Sequence, residues 1–317
     1  MNGKGFMIWQ LDRMPPSQEL VSLLKNVDIK WISIKIADYL TPYNQIGGSD
    51  KVLKYFVEKL QSAHIEVGGW HYIYPTKCGP QGGLASERIE KLGLDHLLID
   101  AEGEWKQEGL KAEAELYCNS LDVNKVFPVG LCSYRFPALH APFPFKHFLN
   151  HPKVKFIAPQ MYWLGSHNPA EQLKNSKDQY RLLSDKPYWP IGCTFGWGGW
   201  EPSEKDLAEF MNTCHAWDLS AHGWYSLDWL LRNKRYDWLS VIGGTPAEPP
   251  PVVEKDTWLK IFNCYALNFR DDPVVTADRL GALIAGQRVR RLDQAGDWVK
   301  VKYEADGWMH KNYLQEI

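Results

Sequence analysis

The first part of the chain alternates between short apolar runs and longer stretches with helical character. The apolar runs predict eight strands, at residues 6–11, 31–38, 66–74, 96–102, 127–134, 156–163, 188–195 and 221–228. Eight strands separated by helical stretches indicate parallel pairing with helical crossovers. The sequence therefore predicts an α/β fold, a (β/α)8 TIM-type barrel. A doubly wound open sheet is the alternative, but no glycine-rich phosphate loop follows the first strand.

Three stretches between these strands are the clearest predicted helices, at residues 49–64, 168–184 and 203–217. Ser49 is a candidate N-cap of the first helix. Ser203, followed three residues later by Asp206, is close to the capping-box pattern at the start of the third.

The clearest domain boundary is a proline-rich segment at residues 243–256. Prolines among small and charged residues are typical of a stiff, extended linker. After it, every second residue of the stretch 298–303 is apolar or aromatic in one of the two alternating sets, as on a strand, and Gly296 and Gly307 mark turns. We therefore predict a (β/α)8 domain at 1–242, a linker at 243–256 and a small all-β barrel at 257–317.

Composition narrows the possible partners. The net charge of −2 provides no field to recruit nucleic acid or an anionic membrane. No apolar stretch approaches the roughly 20 residues of a membrane span. The 15 Trp and 15 Tyr are many. Flat aromatic rings stack on sugars, which favours a glycan ligand, although a large aromatic core explains any single Trp equally well.

The six cysteines are scattered and form no CxxC pair, which predicts neither a zinc site nor a tight disulfide framework. Buried free thiols in a protein made in a reducing compartment fit this pattern better. Residues 1–14 lack the apolar core and small-residue cleavage site of a signal peptide. We therefore expect synthesis in the cytoplasm without a signal peptide.

The most informative motif is Asp100-Ala101-Glu102, at the end of the fourth apolar run. Residues two apart on a strand share a face, so the two carboxylates are expected to point the same way. Two neighbouring buried carboxylates cannot both ionise easily, and one pKa should rise. A general acid near neutral pH needs this arrangement. A structural role, with both groups satisfied by Lys35 or backbone amides, is the alternative.

Other candidate site residues follow from the barrel itself, because its chemistry lies at the C-terminal ends of the strands. Asp12 and Asp228, near the ends of the first and eighth strands, are expected to hold sugar hydroxyls or tune the carboxylate pair. The candidate substrate-binding residues are His71, Tyr134, Gln160, Tyr162, Trp163, Trp197 and Trp224.

A divalent-ion site is a competing interpretation of the same carboxylates. It would use Asp12, Asp100, Glu102 and Asp228, with His71 as a further ligand. No His-x-His or HExxH spacing supports it. We therefore expect neither a metal nor another cofactor.

The tail closely resembles bacterial SH3 domains. The matching pieces are Ala266-Leu267-Asn268-Phe269-Arg270, Gly281, Gly286, Gly296-Asp297-Trp298-Val299-Lys300-Val301, Gly307-Trp308-Met309 and Tyr313-Leu314. In such families the module commonly binds cell-wall peptide. The resemblance implies the same here, with Asn268, Arg270 and Tyr313 as the candidate cell-wall-binding residues.

The barrel resembles the family-25 glycoside hydrolases, the N-acetylmuramidase lysozymes found in many phage endolysins. The matching runs are residues 31–37, 67–72, 98–102 and 156–162. The resemblance implies that Glu102 is the general acid and that Asp100 assists, by orienting a 2-acetamido group or stabilising positive charge at the anomeric carbon. The chain departs from the family pattern at residues 9–14 and after Lys35, and residues 159–163 also resemble chitinase-type barrels.

Together these observations predict a peptidoglycan-degrading hydrolase of the endolysin type, cleaving β-1,4 links next to N-acetylated amino sugars. The alternatives are a catalytically inactive glycan- or wall-binding protein, a hydrolase of another N-acetylhexosamine glycan such as chitin, and an interaction protein whose two domains bind peptide or protein. We expect a monomer that acts on the cell wall.

Overall fold

The computed structural model describes residues 1–15, 17–122, 127–244, 258–261, 266–270, 279–284, 287–295, 298–302, 306–310 and 314–316. Contacts divide the chain into two compact units. The first contains Met1–Arg13, Leu24–Tyr43 and His64–Ala247, and the second contains Met14–Leu23, Asn44–Ala63 and Glu248–Ile317. Among the described residues, no helix has the length and apolar character needed to cross a bilayer.

Eight parallel strands within the described residues form a closed barrel. They are β1 Gly3–Ile8, β2 Trp31–Asp38, β4 Glu66–Ile73, β5 Leu97–Ala101, β6 Val129–Tyr134, β7 Val154–Met161, β8 Ile191–Cys193 and β9 Ala221–Tyr225, and the short β3, Thr41–Pro42, pairs antiparallel with β2. The barrel closes because β1 pairs with both β2 and β9. The predicted (β/α)8 fold is confirmed, and the open-sheet alternative is wrong.

Helices lie between the strands along the chain. Their bounds are α1 Ser17–Asn26, α2 Lys51–Ser62, α3 Cys78–Leu92, α4 Lys111–Asn119, α5 Phe145–Leu149, α6 Pro169–Arg181, α7 Glu204–Ala216, α8 Leu227–Arg232 and α9 Tyr236–Gly243. The capping box of α7 is confirmed, because Ser203 and Asp206 each accept a hydrogen bond from the other's backbone N–H. The predicted cap of α2 is wrong: Asp50 is the N-cap, and the Ser49 hydroxyl accepts from the Lys51 N–H at 3.3 Å.

Side chains fill the half of the barrel interior near the N-terminal ends of the strands, here called the lower half. The interior cluster contains Met7, Trp31, Trp70, Leu98, Cys132, Phe156, Ala158 and Ile191. Trp31 is fully buried, and its indole N–H donates to the Gly3 carbonyl at 3.1 Å. Gly5 and Gly223 make room for this ring, since a Cβ there would lie 1.9 Å and 2.3 Å from it. Side chains therefore fill the barrel interior around Trp31.

The tail is an antiparallel sheet within the described segments. Its strands are β10 Trp258–Ile261, β11 Ala266–Arg270, β12 Arg279–Ile284, β13 Arg288–Ala295, β14 Trp298–Lys302, β15 Asp306–His310 and β16 Leu314–Glu316. They pair in the order β12-β11-β15-β14-β13-β10-β16. Apolar side chains such as Leu283, Val289 and Val301 are buried in it. The predicted all-β tail is confirmed.

The predicted linker and the six cysteines are described by the structure only in part. The linker at 243–256 lies almost wholly outside them, so the domain boundaries stay predictions. Of the six cysteines, five are described, and these five are buried free thiols, as predicted. Cys264 lies outside the described residues.

Candidate functional site

A cavity of about 180 Å³ opens at the C-terminal ends of the barrel strands. Its walls combine aromatic rings with two carboxyl groups, one amide and one ammonium group. The lining residues are Met7, Trp9, Lys35, Trp70, Tyr72, Asp100, Glu102, Gln160, Tyr162 and Tyr225. This is the end of the barrel at which the fold predicts chemistry.

The predicted carboxylate pair lies in this cavity on one face, as the alternation along β5 requires. Asp100 is 4% exposed, whereas Glu102, just past the strand, is partly exposed. The Gln160 amide nitrogen donates to Asp100 Oδ1 at 3.0 Å and to Glu102 Oε1 at 2.6 Å. One side chain from β7 therefore holds both carboxyl groups in place.

Of the two carboxyl groups, Asp100, the more buried one, holds a proton more readily. Burial, followed by the nearby charge of Glu102, raises the pKa of Asp100 well above its usual value, while the Lys35 ammonium opposes this rise. Asp100 and Glu102 are also hydrogen-bonded to each other. The site therefore holds a carboxylic acid in direct contact with a more exposed carboxyl group.

Lys35 is a buried cation at the edge of the pair. It is 5% exposed, and its Nζ lies 2.7 Å from Asp38 Oδ2. The same nitrogen lies 4.5 Å from the ring centroid of Tyr43 and 4.9 Å from that of Trp70. Aromatic faces stabilise a desolvated cation, which accounts for a lysine at this depth.

A third carboxylate near the site was missed by the sequence analysis. Glu104 accepts a hydrogen bond from the Tyr72 hydroxyl at 2.9 Å. It lies two residues beyond Glu102 in a short 3-10 helix, Gly103–Trp105, where the two-residue spacing of a strand no longer applies, so the sequence pattern did not indicate it. Lys35 was named from the sequence only as a structural partner of the pair, and the missed lining residues are Met7, Trp9, Trp70, Tyr72 and Tyr225, of which Trp70 and Tyr72 are two residues apart on β4.

Two predicted substrate-binding residues line the cavity and one lies near it. Gln160 and Tyr162 are in the wall, although the Gln160 amide N–H groups are directed at the carboxyl groups. Tyr134, at the end of β6, is partly exposed. Burial and the charge of Glu102 raise the pKa of its hydroxyl, which places the ring within electrostatic reach of the pair.

The two flanking carboxylates are not brought to the pair. Asp228 is buried in the first turn of α8, where its Oδ1 accepts from the Trp9 backbone N–H at 3.0 Å. Asp12 is exposed on a short 3-10 helix. Neither lines the cavity, so Asp228 can contribute by holding the backbone of a lining residue. In the described part of the chain, no group of three or more His, Cys, Asp or Glu is placed to hold a metal ion.

Three predicted binding residues point to the outside of the barrel instead. Each is one position from an inward residue: His71 follows Trp70, Trp163 follows Tyr162 and Trp224 precedes Tyr225. A shift of one residue reverses the face of a strand. Trp163 and Trp224 are buried against Phe210 of α7, with ring centroids 5.5 Å and 4.7 Å away.

His71 is a buried structural residue. Its Nε2 lies 2.8 Å from the Tyr39 carbonyl and its Nδ1 lies 3.1 Å from the Tyr117 hydroxyl. Burial lowers its pKa to about 4, so the ring is neutral at neutral pH.

Trp197, another predicted substrate-binding residue, is 74% exposed and does not line the cavity. It lies on a turn with Gly198 and Gly199, which have positive φ.

The candidate residues of the tail lie partly in the described segments. Asn268 is exposed and Arg270 is partly exposed, both on β11. Tyr313 lies outside the described residues. Their predicted role in wall binding stays a prediction.

Comparisons with known proteins support the two-part organisation. A family model described as "Bacterial SH3 domain" matches residues 266–315. Among curated proteins, no sequence matches the chain significantly.

Solved structures resemble the barrel. A GH18 chitinase from Pseudoalteromonas aurantia gives a TM-score of 0.55 with 12% identity, covering 76% of this chain and 99% of that one. The class V chitinase from Nicotiana tobaccum gives 0.55 with 9% identity, covering 78% and 99%. The spore cortex-lytic enzyme SleL from Bacillus cereus gives 0.51 with 8% identity, covering 77% and 74%. At these identities the likeness concerns the fold: the chain combines a (β/α)8 barrel similar to those of glycoside hydrolases with a C-terminal bacterial SH3 domain.

Proposed function

We propose that this protein is a glycoside hydrolase that cleaves β-1,4 links next to N-acetylated amino sugars in the bacterial cell wall. One observation carries the proposal: Asp100 and Glu102, held together by Gln160, lie in an aromatic cavity at the catalytic end of a (β/α)8 barrel. Aromatic rings stack on the apolar faces of sugars, and a carboxyl pair supplies acid catalysis.

The two carboxyl groups have different roles in the proposed mechanism, and these follow from their different exposure. Glu102, the more exposed, protonates the glycosidic oxygen as the bond breaks. Asp100, whose raised pKa keeps it protonated, passes a proton to Glu102 through their hydrogen bond. The Asp100 carboxylate that remains then orients the 2-acetamido group or stabilises positive charge at the anomeric carbon, and water adds to that carbon and returns a proton to Glu102.

The spacing of the pair argues against an inverting reaction with Asp100 as the base, and the proposed participation of the 2-acetamido group favours retention. Inverting glycosidases separate their carboxyl groups by roughly 6.5–9.5 Å to leave room for a water molecule. Here one Gln160 nitrogen contacts both groups, and they are hydrogen-bonded to each other, which leaves no such room. We therefore expect the first product to keep the β configuration, as measured by proton NMR during the first turnovers. A first product with the α configuration would exclude this pair as the catalytic one.

The SH3 domain supports a wall substrate. Bacterial SH3 modules commonly bind cell-wall peptide, and residues 266–315 match that family. Binding through one domain raises the effective concentration of the other at the same surface. We propose that the tail holds the barrel on the wall in this way, and that the protein, made in the cytoplasm, acts there.

Muramidase specificity is the finer proposal. It is supported by the resemblance of residues 31–37, 67–72, 98–102 and 156–162 to family-25 lysozymes. A chitin-type glycan is the second candidate, favoured by residues 159–163 and by the chitinases among the similar structures. SleL, named as a spore cortex-lytic enzyme, is a further similar structure and agrees with a cell-wall substrate.

Digestion of both glycans tests these proposals. We expect purified peptidoglycan treated with the full chain to release fragments with new reducing ends at N-acetylmuramic acid, identified by mass spectrometry. Chitin serves as the parallel substrate under the same conditions. Cleavage of chitin alone would assign the second candidate. Binding to either glycan without any new reducing end would leave a non-catalytic wall-binding protein.

A further inference from the structure

A row of three tyrosines leads away from the cavity. Tyr72 is in the cavity wall, Tyr74 lies just past the end of β4, and Tyr39 lies just past the end of β2. The ring centroids of Tyr72 and Tyr74 are 5.3 Å apart, and those of Tyr74 and Tyr39 are also 5.3 Å apart. All three rings are partly exposed. We call this row the tyrosine wall.

The hydroxyl groups of the tyrosine wall are anchored. The Tyr72 hydroxyl donates to Glu104 Oε2 at 2.9 Å, and the Tyr74 hydroxyl is hydrogen-bonded to Asp38. Asp38 is itself fixed by its ion pair with Lys35. The Tyr39 hydroxyl accepts a hydrogen bond from the Thr76 hydroxyl at 3.4 Å. The three rings meet edge to face, so their orientations are fixed against one another and each leaves part of its surface exposed.

The backbone of Tyr39 is anchored as well. Its N–H donates to the Tyr72 carbonyl at 3.0 Å, and its carbonyl lies 2.8 Å from His71 Nε2. Because the neutral His71 ring also contacts Tyr117, the end of β2 is tied to the barrel. A preorganised aromatic surface loses little conformational freedom when a ligand binds.

The cavity is small for a polymer substrate. Ligand pockets for drug-sized molecules have roughly 300–1,000 Å³, whereas this cavity has about 180 Å³. A glycan chain with one sugar in the cavity must continue over the surface beside it. The tyrosine wall is continuous with the cavity at Tyr72, and the carboxylates Asp38 and Glu104, whose oxygens are the kind of acceptor that sugar hydroxyls use, lie along it.

We propose that the tyrosine wall is an extended glycan-binding site, which takes pyranose units of the chain lying outside the cavity. The inference rests on the proposed glycan substrate and makes it specific: the preferred ligand is an oligomer longer than the cavity can hold. Tyr74 and Tyr39 stack on the outer sugars, and Tyr72 joins this surface to the cavity.

Binding of short and long oligomers tests the wall. In the full chain carrying Glu102→Gln, which keeps oligomers intact, calorimetry compares the dimer and the hexamer of β-1,4-linked N-acetylglucosamine. Tyr74→Ala and Tyr39→Ala are each expected to weaken hexamer binding about three- to tenfold and to change dimer binding less than about twofold, in line with the energy of single aromatic contacts. Tyr74→Phe keeps the ring and is expected to retain most hexamer affinity.

A matched control removes an aromatic ring elsewhere. Trp217 is the C-cap of α7, which leads into the N-terminal end of β9, and it does not line the cavity at the C-terminal ends of the strands. Trp217→Ala is therefore expected to leave binding of both oligomers unchanged. Hexamer binding that is equal in the parent and both Tyr→Ala variants would refute the wall alone. If the parent bound neither these oligomers nor peptidoglycan fragments, the proposed function itself would fail, and the wall with it.

Discussion

Glu102→Gln is expected to lower the rate of glycan cleavage by about 10²–10⁴-fold, the usual contribution of a general acid. The amide cannot donate an acidic proton to the leaving oxygen. Its shape is nearly unchanged, and its oxygen can still accept the hydrogen bond that Gln160 donates to Glu102 at 2.6 Å. Binding of glycan is therefore expected to persist. The measurement is the rate of reducing-end release from the substrate identified by mass spectrometry, beside a pull-down on the same glycan.

Two further variants test which carboxyl group of the site is the acid. Asp100→Asn is also expected to reduce the rate, because it removes the proton that Asp100 shares with Glu102. Glu104→Gln is the matched control, since its amide oxygen can still accept from the Tyr72 hydroxyl. If Glu104→Gln abolished cleavage while Glu102→Gln remained active, the acid would be Glu104 and the role proposed for Glu102 would be wrong.

Gly5→Ala is expected to destabilise the barrel by about 3 kcal/mol or to prevent folding. The added methyl would lie 1.9 Å from the Trp31 ring, and overpacking a filled core usually costs about 1–3 kcal/mol, occasionally more. Trp31 cannot easily move aside, because it is fully buried and its other side contacts Gly223. Urea unfolding followed by the helical circular dichroism signal measures the loss.

The control for Gly5 is a glycine with open space around it. Gly83 lies within α3, and a Cβ there meets nothing within 4 Å. Gly83→Ala is expected to stabilise the protein by up to about 1 kcal/mol through helix propensity. Adding Trp31→Leu to Gly5→Ala should recover part of the loss, giving a non-additive double-mutant cycle. Wild-type stability of Gly5→Ala would show that Trp31 does not fill the lower barrel.

The fold was predictable because its signals are local and repeated. Each barrel strand is a short apolar run bounded by helical stretches, and eight such repeats leave few architectures. Residues 31–38 were predicted as a strand with the observed bounds of β2. The final predicted strands were too long, since residues 188–195 contain only the three-residue β8, Ile191–Cys193. Aromatic runs look strand-like even where the backbone leaves the sheet.

The site was predictable only where polar residues marked the inner face of a strand. Asp100, Glu102, Gln160 and Tyr162 were found for that reason, and all four line the cavity. His71, Trp163 and Trp224 were assigned to the cavity but lie outside the barrel. Strands of a barrel are buried on both faces, so an aromatic residue carries no sign of which face it occupies.

The sequence by itself determined the period of each element and, through two carboxylates spaced two apart, one face of β5. These are properties of neighbouring residues. Only the tertiary structure decided which aromatic rings enclose the cavity, that Gln160 joins Asp100 to Glu102, and that Asp228 holds the Trp9 backbone. Those contacts join residues about 60 to more than 200 positions apart. The pairing of β5, β6 and β7 brings Gln160 to the carboxyl pair, and closure of the barrel by β1 and β9 brings Asp228 to Trp9.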